Sequence, residues 1–417
     1  MERRMRVLQI DVNCKQSSTG KIVYDLYSYG NSHGAEMAVC YGRGPALREK
    51  NIYKFGLDGE TYLHALLTRL TGRTGCYSFF STRRLLRFIK RFRPDVIHLH
   101  ELHAYFVDFK PLLRFIAENE IPVVWTFHCE FMYTGKCGYA NDCMRFTENC
   151  GRCTELREYP KTLFFDRTAK MLDEKKRLLS KLQRLIVATP SKWLADRVKL
   201  SFLKDRRVEL VYNGIDTTVF CPRNADALRN ELKISREEKV ILSVAPDIMS
   251  ERKGGSFVLQ LAERFRGERV KFVLVGVKNC AVPHADNVIL IPPVSDQIRL
   301  AQFYSMADLF VICSHKENFP TTCLEAQCCG TSVCGFATGG TTETCIDGTE
   351  NFVEFGDVGA LADVLRKNLS ELPDRTATAS EAKNRFSYDT MSEKYFAFYR
   401  ELLAKQEKDD RGDSSKL

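Results

Sequence analysis

One stretch of the sequence decides the fold: Leu309-Phe310-Val311-Ile312-Cys313-Ser314-His315-Lys316-Glu317-Asn318-Phe319-Pro320-Thr321-Thr322-Cys323-Leu324-Glu325-Ala326. Its apolar beginning predicts a buried strand, and Pro320 stands where the first residue of a helix belongs. We expect that helix to run to Cys329 and to stop at Gly330. The corner between strand and helix carries two carboxylates, Glu317 and Glu325, near a helix N-terminus that favours an anionic ligand.

The same alternation of strands and helices extends along the chain on both sides of this corner. Apolar strands separated by helices predict parallel sheets that are covered on both faces. Predicted strands of a first group lie at 7–12, 37–41, 95–99, 122–127, 185–188 and 208–211, and those of a second group at 239–244, 271–275, 288–291, 309–313 and 332–335. The turn Asn213-Gly214 separates the groups, so the sequence predicts an α/β fold with two doubly wound domains.

The chain of 417 residues is long enough for two large domains. We expect the first domain at 1–211, with a cysteine-rich loop over 129–153, and the second at 212–385. A helix with an apolar stripe is expected over 386–408, where it would pack on one of the domains. Small and charged residues over 409–417 predict a disordered tail.

The composition is that of a globular protein, with 44% apolar and 28% charged residues. A net charge of +9 favours an anionic ligand or surface without naming one, and we expect no nucleic-acid partner. No apolar run reaches the length of a membrane span, and no secretory signal is visible before the first strand. Because the 16 cysteines are scattered through apolar segments, we expect a reducing, cytoplasmic location.

Four cysteines fall close together in a polar loop: Cys137, Cys143, Cys150 and Cys153. The final Cys-x-x-Cys pair is typical of a zinc knuckle, and four thiolates would complete a closed tetrahedral site. A long loop would gain stability from such a metal, so we predict structural zinc. Free thiols and a disulfide pair are the alternatives.

Two glycine-containing turns are candidates for binding an anion. Gly20 follows the first strand and would let the backbone approach a phosphate, although a plain tight turn explains it equally well. Arg252 and Lys253 precede Gly254-Gly255 at a predicted helix start. Two cations in that position form a second candidate anion site, and an ordinary charged loop is the alternative.

Histidines and arginines supply further candidates in the first domain. His98, His100, His103 and His128 lie near the carboxyl ends of strands, where open α/β sheets bind ligands, although a lone histidine is more often structural. The predicted helix 82–92 places five cations beside an apolar stripe. Such a helix suits an anionic membrane surface, and a solvated outer helix is the alternative.

Taken together, these motifs resemble those of the family 4 glycosyltransferases, which are retaining enzymes of the GT-B type. The most specific match is the pair Glu317 and Glu325, separated by seven residues. Supporting matches are Arg93-Pro94-Asp95-Val96-Ile97-His98-Leu99-His100, Asn213-Gly214-Ile215-Asp216, Arg252-Lys253-Gly254, and Gly339-Gly340 with Glu343. The stretches 123–153 and 190–194 resemble a subgroup found among bacterial surface-polysaccharide gene products. The resemblance implies two Rossmann-like domains facing across a cleft, with the C-terminal helix crossing back to the first.

The resemblance also implies a role for each matching residue. Glu317 would hold the hydroxyls of the donor sugar and face the positive charge that develops there, while Glu325 would bind the ribose hydroxyls. Lys253, with Arg252 beside it, would bind the diphosphate, which Gly20 would approach from the other domain. His128 would contact the donor sugar from the acceptor side. The loop over sugar and diphosphate would consist of Asn318, Phe319, Pro320 and Thr321.

The implied reaction moves a sugar from a nucleoside diphosphate sugar to a lipid-linked glycan acceptor. Its implied setting is exopolysaccharide, capsule or O-antigen assembly. Lysine and helix N-termini can stabilise the departing diphosphate, so no catalytic metal or cofactor is expected. Two residues depart from the family pattern: Pro246 stands near the usual arginine position, and Cys129 stands where an aspartate often follows the histidine. These departures keep a second hypothesis open, a catalytically silent GT-B protein that binds sugar nucleotides or acts as a scaffold.

Overall fold

The computed structural model of the protein describes residues 4–140 and 142–413, the side chains of 406–413 excepted. The chain divides into two compact units. Unit 1 comprises residues 1–212 together with 391–417, and unit 2 comprises 213–390. The last helix therefore starts in unit 2 and continues as part of unit 1.

Unit 1 is built on a seven-stranded sheet in which every neighbouring pair is parallel, in the order β3-β2-β1-β4-β5-β6-β7. The strands are β1 (Arg6–Asp11), β2 (Glu36–Tyr41), β3 (Ile52–Lys54), β4 (Val96–Leu99), β5 (Val123–Thr126), β6 (Leu185–Thr189) and β7 (Val208–Leu210). The helices of its first segment are α1 (Ser17–Ser32), α2 (Asp58–Thr71), α3 (Phe79–Phe92), α4 (Phe109–Glu118), α5 (Thr168–Leu179) and α6 (Lys192–Lys199). The central strands β4 and β5 are fully buried, as helices on both faces require.

Unit 2 repeats this construction with six parallel strands in the order β10-β9-β8-β11-β12-β13. The strands are β8 (Lys239–Val244), β9 (Val270–Val275), β10 (Val288–Ile291), β11 (Leu309–Ile312), β12 (Ser332–Phe336) and β13 (Phe352–Val353). The helices are α7 (Asp226–Glu231), α8 (Gly255–Arg264), α9 (Gln297–Met306), α10 (Thr321–Cys328), α11 (Val358–Ser370) and α12 (Arg375–Phe386). The predicted α/β fold with two parallel-sheet domains is confirmed.

The chain passes between the units at two places, after Tyr212 and after Thr390. Within unit 2, the segments next to these two places are hydrogen-bonded to each other. Ile215 N–H donates to Phe386 O at 2.9 Å, and Tyr388 N–H donates to Ile215 O at 2.9 Å. A side chain at Gly214 would collide with Ser387 O at 2.6 Å, so glycine permits this close approach.

The last helix, α13 (Tyr388–Asp413), packs on unit 1 through buried aromatic side chains. The Tyr399 hydroxyl lies 2.6 Å from Nδ1 of His98 on β4, and Thr126 on β5 donates to the Tyr395 hydroxyl at 2.8 Å. The predicted tail needs a correction, because the helix continues through 409–413 instead of ending at 408. The remainder of that predicted tail, 414–417, lies outside the described residues.

Two other helix boundaries also differ from the sequence prediction. Helix α1 begins at Ser17, so Gly20 lies in its first turn and not in a loop before it. Pro320 occupies the N-cap position and Thr321 is the first helical residue of α10. Proline suits both positions, because neither requires its missing N–H to donate within the helix.

Candidate active site

The strand–helix corner between β11 and α10 gathers the first set of candidate residues in unit 2. Glu317 is buried, and its Oε1 accepts hydrogen bonds from Lys253 Nζ at 2.5 Å and from Arg252 Nη1 at 3.3 Å. The two cations come from the short 3-10 turn Glu251–Lys253 that precedes α8. The corner therefore presents one carboxylate and two cations at a single point, within unit 2.

Backbone contacts fix both sides of this cluster. A Cβ atom on Gly254, whose φ is +69°, would lie 2.0 Å from Cys313 O, so only glycine lets the cationic turn approach the end of β11 this closely. Gly339, with φ +59°, makes a similar approach to Glu317 O, which also accepts the Gly340 N–H at 3.1 Å. Glu317 is therefore held through its backbone and its side chain.

Glu325 lies further along α10, on a helix that is almost entirely buried. Its Oε2 accepts a hydrogen bond from the Tyr304 hydroxyl of α9 at 2.8 Å. Burial and the neighbouring carboxylate raise the pKa of Tyr304 well above its usual value, so this hydroxyl stays a donor. Tyr304 was not selected from the sequence, because no motif distinguishes it from the other residues of its helix.

The loop between the two glutamates is also packed into unit 2. Asn318, Phe319 and Pro320 are buried, whereas Thr321 is partly exposed at the start of α10. The Phe319 ring packs edge-on against Phe386, at 6.0 Å between ring centroids. The structure thus brings Arg252, Lys253 and Glu317 together and places Glu325 on the helix that follows.

In unit 1, a polar cluster occupies the carboxyl ends of the adjacent strands β1, β4 and β5. His100 Nδ1 lies 3.1 Å from His128 Nε2, and His100 Nε2 lies 3.2 Å from Gln9 Oε1. Burial lowers the pKa of His128 to about 4 and that of His100 well below its usual value. These two imidazoles are therefore neutral at physiological pH.

A half-buried ion pair lies next to these imidazoles. His103 Nε2 is 3.2 Å from Glu101 Oε2, and the Tyr159 hydroxyl is 3.1 Å from His103 Nδ1. Burial raises the pKa of Glu101, but the charges of His103 and His128 and the hydrogen bonds with His103 and Cys129 together outweigh it and lower that pKa to about 2. Cys129 completes the group, since its thiol is hydrogen-bonded to both partners.

Asp11, at the end of β1, is the second carboxylate beside this pair. It accepts the backbone N–H groups of Asn13 and Glu101, each at 3.2 Å. Burial and the nearby Glu101 charge raise the pKa of Asp11 to about 7. Neither carboxylate was among the residues selected from sequence, although Glu101 stands between two of the selected histidines.

The remaining candidates of unit 1 have other hydrogen-bond partners or surroundings, although the His98 ring stacks on that of His100 at 4.0 Å between centroids. His98 is bonded to Tyr399 and Thr126 and is structural. Gly20 is buried in the first turn of α1, against Asn13. In α3 the exposed cations cover one face while Leu85, Phe88, Ile89 and Phe92 are buried on the other.

The cysteine-rich loop is held by buried charged side chains. Glu130 accepts hydrogen bonds from Arg197 Nε and from the Ala140 N–H, each at 2.6 Å. Lys136 donates to Glu158 O at 2.7 Å, and Lys175 donates to Phe131 O and Thr134 O. The loop therefore has internal supports that do not require a metal.

The four loop cysteines are free thiols. Cys137 and Cys153 are hydrogen-bonded, which lowers the pKa of Cys153 below its usual value, and Cys150 accepts the Gly135 N–H at 3.3 Å. Within 4–140 and 142–413, only Glu101, His103 and Cys129 form a group of potential metal ligands within 4.8 Å of one another. A zinc site at the four cysteines would require their sulfur atoms to draw closer, and structural zinc stays a prediction.

The sequences of both units match known protein families. The model described as "Glycosyltransferase Family 4" matches residues 19–219, and the one described as "Glycosyl transferases group 1" matches residues 224–385. Together the two models cover most of the chain. The chain belongs to the family 4 glycosyltransferases.

Several named proteins are similar to this chain in sequence. One is the glycosyl transferase WcaC of Escherichia coli (strain K12), named for colanic acid biosynthesis, which is 23% identical over 95% of this chain and 100% of its own. The D-inositol 3-phosphate glycosyltransferase of Mycobacteroides abscessus is 32% identical over 39% of each chain.

Solved structures share the fold over nearly the whole chain. The sucrose-phosphate synthase of Thermosynechococcus elongatus aligns with a TM-score of 0.69 at 17% identity, covering 96% of this chain and 100% of its own. Anabaena Alr3699/HepE, solved in complex with UDP-glucose, aligns with a TM-score of 0.63 at 15% identity and the same coverage. The prediction of two Rossmann-like domains of the GT-B type is confirmed.

No helix within 4–140 and 142–413 combines the length and the apolar character that a bilayer crossing requires.

Proposed function

We propose that this glycosyltransferase moves a sugar, with retention of anomeric configuration, from a nucleoside diphosphate sugar to a lipid-linked glycan acceptor. The setting that we propose is bacterial exopolysaccharide, capsule or O-antigen assembly at the cytoplasmic face of the membrane. The observation that carries the proposal is the contact of Glu317 with Lys253 and Arg252, within a unit that matches the family model.

The chemistry of transfer explains why a carboxylate and two cations are needed together. The bond between the anomeric carbon and the diphosphate oxygen breaks, leaving positive charge on the sugar and negative charge on the diphosphate. Lys253 and Arg252 would bind the diphosphate without a divalent metal, and Glu317 would stabilise the positive sugar. The acceptor oxygen would form the new bond on the same face, and its proton would pass to the departing phosphate oxygen.

The remaining assignments in unit 2 concern the nucleotide. The Glu325 carboxylate would accept hydrogen bonds from the ribose hydroxyls. Tyr304 would hold Oε2 of that carboxylate in place. Asn318, Phe319, Pro320 and Thr321 would form the loop over the sugar and the diphosphate. In this proposal the ion pair with Glu317 opens when the donor binds, and the two cations transfer from the carboxylate to the phosphates.

Unit 1 is proposed to contribute His128 on the acceptor side and Gly20 as a donor-binding residue. The neutral His128 would present a nitrogen to a sugar hydroxyl, and the N-terminal turn of α1 would offer backbone N–H groups to the phosphates. The polysaccharide setting is supported by the full-length likeness to a protein named for colanic acid biosynthesis.

The experiment begins with a thermal-shift screen of the purified protein against nucleotides and nucleotide sugars, UDP-glucose included. A ligand that binds only the folded protein raises the unfolding temperature and so identifies the base and the sugar. The selected donor is then incubated with lipid-linked glycan extracts, and the anomeric configuration of the product is determined by NMR. Inversion of the anomeric centre contradicts the proposal, and donor binding without transfer or hydrolysis supports the silent sugar-nucleotide-binding alternative.

A further inference from the structure

Helix α2 in unit 1 exposes the side chains that a surface helix normally buries. Its inward residues are small or polar: Thr61, His64, Ala65 and Thr68. Its outward residues are large and apolar, at the helical spacing of three and four: Tyr62, Leu63, Leu66 and Leu70. Tyr62 is the most exposed of them, at 76%. This reversed pattern makes an apolar strip that faces solvent along the whole helix.

A loop that follows the cysteine-rich loop in sequence extends this strip at the end of α2. Leu163, Phe164 and Phe165 are all exposed, Phe164 by 69%. The Leu163 N–H donates to Arg69 O at 2.9 Å, and a Cβ atom on Gly72 would lie 2.2 Å from Phe165 O. These backbone contacts hold the loop that carries the three side chains beside the carboxyl end of α2.

The beginning of α3 extends the strip at the other end. Phe79 and Phe80 are both exposed. Glu60 of α2 accepts the backbone N–H of Phe80 at 2.7 Å and that of Ser81 at 2.8 Å. These contacts join the two helices, so that nine large apolar side chains form one exposed area, which we call the apolar surface: Tyr62, Leu63, Leu66, Leu70, Phe79, Phe80, Leu163, Phe164 and Phe165.

Cations border this apolar surface. A cavity of about 320 Å³ next to Phe165 is lined by three of them and by three other residues: Arg73, Arg167, Lys170, Thr71, Tyr77 and Phe165. Further along α3, Arg83 and Arg87 are exposed.

The acidic residues of the region are engaged within the protein. Asp58 pairs with Lys54 at 3.0 Å, and Glu174 pairs with Lys110 at 2.7 Å. Glu60 accepts backbone N–H groups, and Asp166 accepts those of Cys153 and Thr168. The charge offered outward beside the apolar surface is therefore mainly positive.

We propose that the apolar surface docks on an anionic phospholipid bilayer. The aromatic and aliphatic side chains enter the interfacial region, the bordering cations pair with lipid phosphates, and the cavity beside Phe165 seats one phosphate group. A second copy of the chain fits less well, because a two-fold contact would bring the same cations of both copies together. The inference rests on the proposed lipid-linked acceptor, since docking would bring unit 1 to the membrane that holds it.

The test is flotation of the full chain with phosphatidylcholine vesicles, prepared with and without phosphatidylglycerol. We expect binding only when phosphatidylglycerol is present, with a loss at high salt. The double variant Phe164→Ser/Phe165→Ser should weaken binding by about tenfold or more, because it removes two inserted side chains. Charge reversal at Arg167 and Lys170 should weaken it by about fivefold for each cation.

Matched controls separate the apolar surface from general effects. Ile298→Ser removes an exposed apolar side chain of unit 2, and Lys204→Glu reverses an exposed charge of unit 1, so both should leave vesicle binding unchanged. Binding that does not depend on phosphatidylglycerol, or that survives all four changes at the apolar surface, overturns the proposal. Dimerisation through the apolar surface, seen by light scattering without vesicles, overturns it too. Since flotation needs neither donor nor acceptor, its failure is distinct from a failure of sugar transfer.

Discussion

Lys253 Nζ lies 2.5 Å from Glu317 Oε1, across 64 residues of sequence. Two glycines permit the contact: Gly254 brings the cationic turn against the end of β11, and Gly339 packs on the Glu317 carbonyl. A cation and a carboxylate in this arrangement can separate the charges that develop when a sugar leaves a diphosphate.

The Glu317→Gln variant removes the negative charge and keeps the shape of the side chain. We expect transfer to fall by about a hundredfold to a thousandfold, the range for loss of one electrostatic contact to a transition state. Donor binding should persist, as measured by thermal shift. Glu354→Gln, at an exposed position of the same unit, is the matched control. Unchanged transfer by the Glu317→Gln variant would refute the assignment of Glu317.

The Tyr304→Phe variant removes the hydroxyl that fixes Glu325. We expect KM for the donor to rise by about tenfold with little change in kcat, because the ribose contact serves binding in ground and transition states alike. The free energy of unfolding should fall by about 1–2 kcal/mol. Tyr27→Phe removes a hydroxyl of unit 1 that donates to Lys50 O at 2.6 Å, so it loses one hydrogen bond as well but should leave KM and kcat unchanged. A fall in kcat alone would contradict this role.

The cysteine-rich loop gives a prediction about metal content. Elemental analysis of the purified protein should find about one zinc per chain, and the variant Cys150→Ser/Cys153→Ser should lose it. Cys280→Ser, at an exposed position of unit 2, should keep the metal, and so should Cys129→Ser, which removes a thiol from the separate group with Glu101 and His103. Native protein without zinc and with four titratable loop thiols would contradict the prediction.

His98 gives a prediction about pH. Burial lowers its pKa well below 6.5, so the unfolded chain takes up a proton that the folded chain does not. Stability present near pH 7 should therefore be lost as the pH falls through 6.5, by up to about 1.4 kcal/mol for each pH unit and each such histidine. His98→Gln should reduce the dependence of the free energy of unfolding on pH. The reduction should be partial, because His100 and His128 contribute to that dependence in the same direction.

Denaturant unfolding between pH 7 and pH 5 measures this slope. His284→Gln serves as the control, because that imidazole is exposed. Equal slopes for the two variants would show that His98 does not carry the effect.

Much of the fold followed from sequence because buried parallel strands have a strong apolar signal. Every strand of the second predicted group appears in unit 2 with bounds that differ by at most one residue. The short edge strands β3 and β13 were missed, because two or three residues carry too little pattern. Helix α2 was also not predicted, because its large apolar residues face outward and the residues on its buried face are small or polar.

The candidate site was predictable only in part. The contact of Lys253 with Glu317 follows from glycines whose close approaches are visible only in three dimensions. The two carboxylates differ because of their three-dimensional surroundings: His103 and hydrogen bonds lower the pKa of Glu101 to about 2, whereas burial raises that of Asp11 to about 7. Sequence order gives the strand ends on which these residues stand, but not the distances that set their charges.

The late position of α13 along the chain has a consequence for synthesis on the ribosome. His98 and Tyr399 are neighbours in the folded protein but are separated by 301 residues, and unit 2 lies entirely between them. A nascent chain therefore finishes unit 2 before the helix that covers β4 and β5 has been translated. Until then the surface of β4 and β5 that α13 buries is exposed. The growing polypeptide must avoid aggregating through that surface for most of its translation.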